Sequence, residues 1–268
     1  MTGTRRPVVA GTFYPGRRDA LAETVAACIG ERRPKKALGG MVPHAGYVYS
    51  GRTCGAFFAA ATVPDRVVLL GPKHTYAGAD YALWPGGAWE TPLGEVSVDA
   101  ELSASILEHC PGIEPDEGAH LEEHSLEVVL PFIQYVNPDA EVVPIAFGAM
   151  DDETLAEFGE GIAAAASERG DEVLIVVSSD MSHYVSATEA ERLDRMALAE
   201  VEKLDAAGLV EVVRQNRITM CGVWPAAVGM VAARALGAER GEVIEYTNSG
   251  EASGDYDQVV GYAAVKFY

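Results

Sequence analysis

Lysine is scarce in this chain. Five lysines stand among 20 basic residues, against 40 acidic ones, and the formal net charge is -20. Nucleic acid and anionic membranes both need a cationic footprint, so both are excluded as partners. An acidic, lysine-poor surface fits a halophilic protein, because counter-ions in high salt screen its self-repulsion. Cysteine is scarce too. Cys28, Cys54, Cys110 and Cys221 lie far apart and form no CxxC pair, which argues against a disulfide framework or a zinc ribbon. The first three read as reduced, buried thiols. Long apolar runs are missing: none approaches the about 20 residues of a membrane helix. The opening stretch MTGTRRPVVAGTFYPG has no apolar core of the secretory kind, so a cytoplasmic location is the expectation. Repeats, low-complexity segments and linkers are absent as well.

What the chain does have is short valine-rich runs closed by turn residues. Val67 to Leu70 ends in Gly71-Pro72 and leads into Lys73 and His74. A run so short and so apolar reads as a strand buried on both faces of a parallel sheet. Ala37 to Val42 leads through Pro43 into His44 in the same way, and Val173 to Val177 leads through Ser178 and Ser179 into Asp180 and His183. In open α/β sheets ligands collect at the carboxyl ends of strands. Three strands thus deliver imidazoles to what reads as one rim.

Elsewhere strands alternate with helices, which argues one α/β domain over 1–268 with a mixed, mainly parallel sheet flanked by helices. Thr4 to Gly16 is a loop packed on the body. Asp19 caps a helix to Ile29, and Asp99 caps another to His109. Residues 85–98 read as a glycine- and proline-rich excursion or hairpin. His120 to Val136 reads as a helix that Pro131 should kink or split in two, with Leu126, Val129, Leu130 and Ile133 inward and Glu122, Glu123 and Glu127 more exposed. Further strands are expected at 81–84, 141–147, 243–246 and 258–266. Further helices are expected at 54–62, 152–167, 188–204, 206–214 and 225–236.

His44 in PHAGY and His74 in GPKHTYAG sit among glycines that let backbone and ligand approach closely. Asp180 and His183, three residues apart, face one way if the chain turns helically after its strand. They suit acid–base work or the orientation of a ligand. His124 joins them as a candidate, whereas His109 is a dipole-favoured helix end and His120 a surface residue. Cys221, in TMCG before a buried helix, is the informative cysteine. One thiolate with two imidazoles suits copper, zinc or iron, and three protein ligands with an open position describe a reactive metal site. On spacing alone that set is weak, because the ligands are scattered; it needs a fold that gathers them.

Taken together, AGTFYPG (10–16), VPHAGYVYSG (42–51), LLGPKHTY (69–76), WETPLGEV (89–96), EEHSLEVVLPFIQ (122–134), VVPIAFG (142–148), VVSSDMSHY (176–184) and TMCGVWP (219–225) resemble the Memo family. The pieces span nearly the whole chain in the family's order. The resemblance implies a class III extradiol dioxygenase-like fold. It implies His44, His74 and Cys221 at the family's metal-ligand positions, with His124, Asp180 and His183 in the same pocket as the catalytic candidates. It also implies copper or iron and a redox role, and association with radical-SAM and AMMECR-type proteins. The dioxygenases themselves use two histidines and a carboxylate. A softer thiolate at the third position counts against ring cleavage.

Two functions follow. One is a metal-dependent oxidoreductase, with Tyr47 and Tyr49 lining the cleft. The other is a non-catalytic module that binds a peptide or small molecule in the same fold.

Overall fold

A computed structural model describes residues 3–168 and 172–268. In chain order the strands are β1 (Thr4–Arg5), β2 (Gly39–Val42), β3 (Arg66–Pro72), β4 (Tyr81–Leu83), β5 (Ala88–Thr91), β6 (Gly94–Ser97), β7 (Glu114–Pro115), β8 (Glu141–Phe147), β9 (Val173–Ser178), β10 (His183–Val185), β11 (Gly241–Asn248) and β12 (Val259–Phe267). The helices are α1 (Arg18–Ile29), α2 (Tyr47–Ala60), α3 (Ala100–His109), α4 (Leu130–Val136), α5 (Asp152–Glu168), α6 (Ala187–Lys203), α7 (Ala206–Asn216), α8 (Val223–Ala235) and α9 (Gly250–Ser253).

The main sheet runs β10-β12-β2-β9-β3-β8-β4-β7, with β11 on the outer side of β12. Its centre, β2-β9-β3-β8, is parallel. β12 and β4 join antiparallel on either side of that centre, so the sheet is mixed. Alternate residues of β3 face opposite layers, as period-two geometry demands. Val68 and Leu70 enter one core, with α3, α5 and α6 to α8. Val67 and Leu69 enter the other, with α1, α2 and α4. All four are fully buried, as their unbroken apolar run predicts.

Most strands and helices match their expected positions within a few residues, and of the two expected caps one forms. Asp99 caps α3 through N–H bonds from Glu101 (3.1 Å) and Leu102 (2.8 Å). Asp19 does not cap α1: the cap position is Arg17, and Asp19 lies inside the first turn. The 85–98 hairpin forms as β5 and β6, and β1 adds to it as a third strand.

The largest departure lies at 120–136. Only Leu130–Val136 is α-helical, with Pro131 in its first turn, where a missing N–H costs nothing. A 3₁₀ turn covers Gly118–His120, and 121–129 is a chain of turns. Glu123, Glu127 and His120 are fully buried rather than outward, while Glu122 is exposed as expected. A regular helix would have carried Glu123 and Glu127 away from their partners.

Candidate functional site

β9 lies between β2 and β3, so the carboxyl ends of three neighbouring parallel strands open on one side. His44 follows β2 by two residues, His74 follows β3 by two, and Asp180 follows β9 by two. Cys221 arrives from the turn before α8. Gly222 is packed so tightly against this turn that a Cβ there would stand 2.5 Å from the Ser179 Cβ. Only glycine lets the Cys221 loop close over the end of β9. Its N–H also donates to Ser179 Oγ at 3.0 Å.

The donor atoms of His44, His74 and Cys221 lie within 4.8 Å of one another. Glu123, His74 and His124 form a second such group. Residues of the chain therefore come together in a set that could hold a metal ion. A cavity of about 450 Å³ opens over them, lined by Phe13, Tyr49, His124, Asp180, His183 and Tyr184 among others. Five of the six candidates, His44, His74, His124, Asp180 and His183, line this cavity, and Cys221 lies against it through His44, its Sγ 3.4 Å from the ring Nε2. Tyr49 lines it as expected, but Tyr47 does not. It is buried, and its hydroxyl donates to the Val128 carbonyl at 2.7 Å.

The partners of the rings define their tautomers. Ser178 donates its one hydroxyl hydrogen to the Ser125 carbonyl (2.7 Å), so its oxygen must accept from His44 Nδ1 (2.8 Å). His74 Nδ1 donates to Glu123 Oε1 at 2.9 Å. His183 Nδ1 donates to the Thr219 carbonyl at 2.9 Å. All three Nε2 atoms are left with a free lone pair. That of His44 faces Cys221 Sγ at 3.4 Å. Holding the second ring nitrogen is how proteins orient imidazole ligands.

Charge reinforces the arrangement. Burial pushes the Glu123 carboxyl up, but bonds from the His74 ring and backbone and from the Ser125 N–H outweigh it, bringing it down to about 2. Burial likewise pulls the His74 ring down, and Glu123 overcomes this and raises it. His44 is held well below the usual imidazole range, first by burial and then by the neighbouring His74 and His124. Its ring lies 5.3 Å from that of His74 and 5.7 Å from that of His124. Burial and Asp180 push the Cys221 thiol up. Burial also raises Asp180, against N–H bonds from His44 (2.8 Å) and Ala45.

Asp180 and His183 are not on a helical turn. His183 opens β10, and Tyr184 follows it with φ +59°, a left-handed conformation rare for an aromatic residue, leaving its ring 73% exposed. Glu123 is a site residue that the sequence pattern concealed, as are Ser125, Ser178 and Thr219. Only the SSD triplet hinted at Ser178.

Comparison with known proteins places the chain in a family. The family model described as Memo-like protein matches residues 5–266. A MEMO1 family protein of Aquifex aeolicus is 44% identical over 268 residues, covering 98% of each chain. One from Methanopyrus kandleri is 38% identical over 278 residues, again at 98% of each. Among solved structures, the uncharacterized protein JW3007 of Escherichia coli K12 shares the fold. Its TM-score is 0.51 at 15% identity, over 85% of this chain and 99% of that one. By sequence over nearly its whole length, this chain belongs to the Memo family.

Proposed function

We propose that the chain holds one redox-capable metal ion, copper or iron, on His44, His74 and Cys221, and acts as an oxidoreductase. The supporting observation is the convergence of one thiol and two lone-pair-bearing imidazoles from three distant segments. The donor chemistry fits: two nitrogens and one sulfur form a borderline-to-soft set. Such an ion, when bound, supplies one-electron redox chemistry. The chain's residues do the rest. Glu123 and Ser178 fix the two ligand rings. The Cys221 proton, held up by burial, must leave for sulfur to ligate. Phe13, Tyr49 and Tyr184 line the cavity.

The test is elemental analysis of protein isolated from its own source, together with a Cys221→Ser variant. About one copper or iron per chain is expected, with content dropping sharply in the variant. Unchanged metal content in Cys221→Ser would overturn the assignment. Metal-dependent oxygen consumption, lost in His44→Ala, would separate an oxidoreductase from a binding module.

A further inference from the structure

Arg5 is fully buried, and three of its hydrogen-bond partners lie 115 or more residues away along the chain. Its Nε donates to the His120 carbonyl at 2.7 Å and its Nη2 to the Glu123 carbonyl at 2.6 Å. Its Nη1 donates to Glu127 Oε2 at 2.7 Å. The guanidinium lies over the Trp89 ring, 4.2 Å from its centre. Glu127, also fully buried, accepts further bonds from the N–H groups of Val8 (2.9 Å) and Val9 (3.0 Å) and from the Tyr14 hydroxyl (2.6 Å). The N-terminal segment is thereby bolted to residues 120–127.

That segment does two jobs at the pocket. Glu123 holds the His74 ring and its backbone N–H. The Ser125 carbonyl takes the Ser178 proton and so commits Ser178 to accept from His44. Ser125 is itself tied to the end of β3, its hydroxyl donating to the Pro72 carbonyl at 2.9 Å. Both ligand rings are therefore oriented from one stretch of chain, and this stretch has no helical ladder to hold its shape. Its path needs support from outside.

We propose that Arg5 is a positioning residue for the metal site. Its fork grips two carbonyls and one carboxylate of the 120–127 segment and so presents Glu123 to His74 and Ser125 to Ser178. This role rests on the metal-site reading above. The shape of the cation, and not only its charge, is what matters. Three acceptors in different directions match a planar guanidinium, and a single ammonium cannot reproduce that fork. The same anchorage brings Phe13 to the pocket wall, its ring edge-on to His124 at 4.9 Å.

Arg5→Lys tests this, because it keeps a cation beside Glu127 and removes the fork. Phe158→Leu, in the core on the opposite face of the sheet, serves as a control of comparable destabilisation. Two quantities are read: the affinity for iron(II) or copper(I) alone, by chelator competition, and the ring ¹⁵N spectra of His44 and His74 without metal. Arg5→Lys should weaken metal binding about 10- to 100-fold, the range for partners behind metal ligands. Its two rings should lose their single Nδ1–H tautomer, while Phe158→Leu changes neither. A folded Arg5→Lys with both quantities unchanged, or shifted no more than in the control, overturns the proposal. If Arg5→Lys does not fold, Trp89→Phe, which trims the ring that lies under the guanidinium and beside His120, carries the same comparison. A several-fold loss with mixed tautomers supports the role, and an unchanged site overturns it. If the wild type binds neither metal, the metal-site reading fails by itself, and the ring spectra still decide whether Arg5 orients the histidines.

Discussion

Glu123→Gln is a nearly isosteric change with an inescapable conflict. The carboxylate uses both oxygens as acceptors. Oε1 takes the His74 Nδ1–H and the Ser125 N–H, each at 2.9 Å, and Oε2 takes the His74 backbone N–H. Glutamine has one oxygen and one NH₂. If its oxygen replaces Oε1, the NH₂ confronts the His74 backbone N–H, donor against donor. If it is flipped, the NH₂ confronts His74 Nδ1, which must then give up its hydrogen. The ring would carry that hydrogen on Nε2 and lose the lone pair it offers the cavity. The first arrangement leaves a buried donor unsatisfied at a cost of about 1–3 kcal/mol. The second disables a ligand. Either way metal affinity should fall about 10- to 100-fold, equivalent to about 1.4–2.7 kcal/mol. Chelator competition measures the affinity, and ring ¹⁵N spectra show which arrangement is adopted. Affinity within about twofold of wild type, with His74 still protonated at Nδ1, would refute the reasoning.

Two further outcomes concern stability. Burial holds His120 down to about 4 in the fold, against about 6.5 unfolded. The unfolded chain therefore takes up a proton below pH 6.5 that the folded chain refuses until about pH 4. Stability falls as pH drops through that window, by up to about 3 kcal/mol from this residue. His120→Leu should flatten this part of the urea-denaturation profile between pH 7 and 4; an unchanged slope would show that His120 is not the group responsible. The net charge of -20 gives the second. Several ion pairs are exposed, such as Lys36–Glu172 and Arg33–Glu31, and are worth less than about 1 kcal/mol each. Screening of the overall repulsion should therefore outweigh their loss. The unfolding midpoint should rise from 10 mM to 1 M KCl, and equal midpoints would remove the high-salt reading.

The legible parts of this chain are those whose physics is local. Valine runs closed by Gly-Pro or Ser-Ser became β3 and β9, because burial on both faces leaves no alternation to confuse. Asp99 before an apolar periodic stretch became a cap. His44, His74 and Asp180 were readable since each directly follows such a strand. Cys221 was singled out by its place before a buried helix and by the resemblance, whereas the tight packing of Gly222 that closes its loop shows only in the fold. Residues 120–129 were not legible, for an opposite reason. Leu126, Val129, Leu130 and Ile133 have helical spacing, and acids interleaved with them ordinarily face water. What draws Glu127 inward is Arg5, 122 residues away, and what draws Glu123 inward is His74, 49 residues away. No window along the chain contains those partners. His120 misled similarly: the Trp84 and Trp89 rings that enclose it, 6.1 and 5.6 Å away, belong to β4's end and β5.

The acids behind the pocket bear on which ligands it admits. Glu127 has an arginine. Glu123, Asp180 and Asp194 are equally withdrawn from water but are met by imidazole, N–H and hydroxyl groups instead. Asp194 takes the Ser182 N–H (3.0 Å) and hydroxyl (2.5 Å) and the Tyr246 hydroxyl (2.8 Å). Burial raises both Asp180 and Asp194 toward their neutral forms. Each can ionise at lower cost once positive charge stands nearby, so the site and a cation stabilise one another. An anion would meet the reverse. Among the described residues the cavity is lined by no lysine or arginine, and the buried acids around it are met by imidazole, N–H and hydroxyl groups, so it offers a phosphate or carboxylate no fixed cation. With the proposed cation bound, an anionic ligand should bind more tightly, and its affinity should fall when the metal is removed.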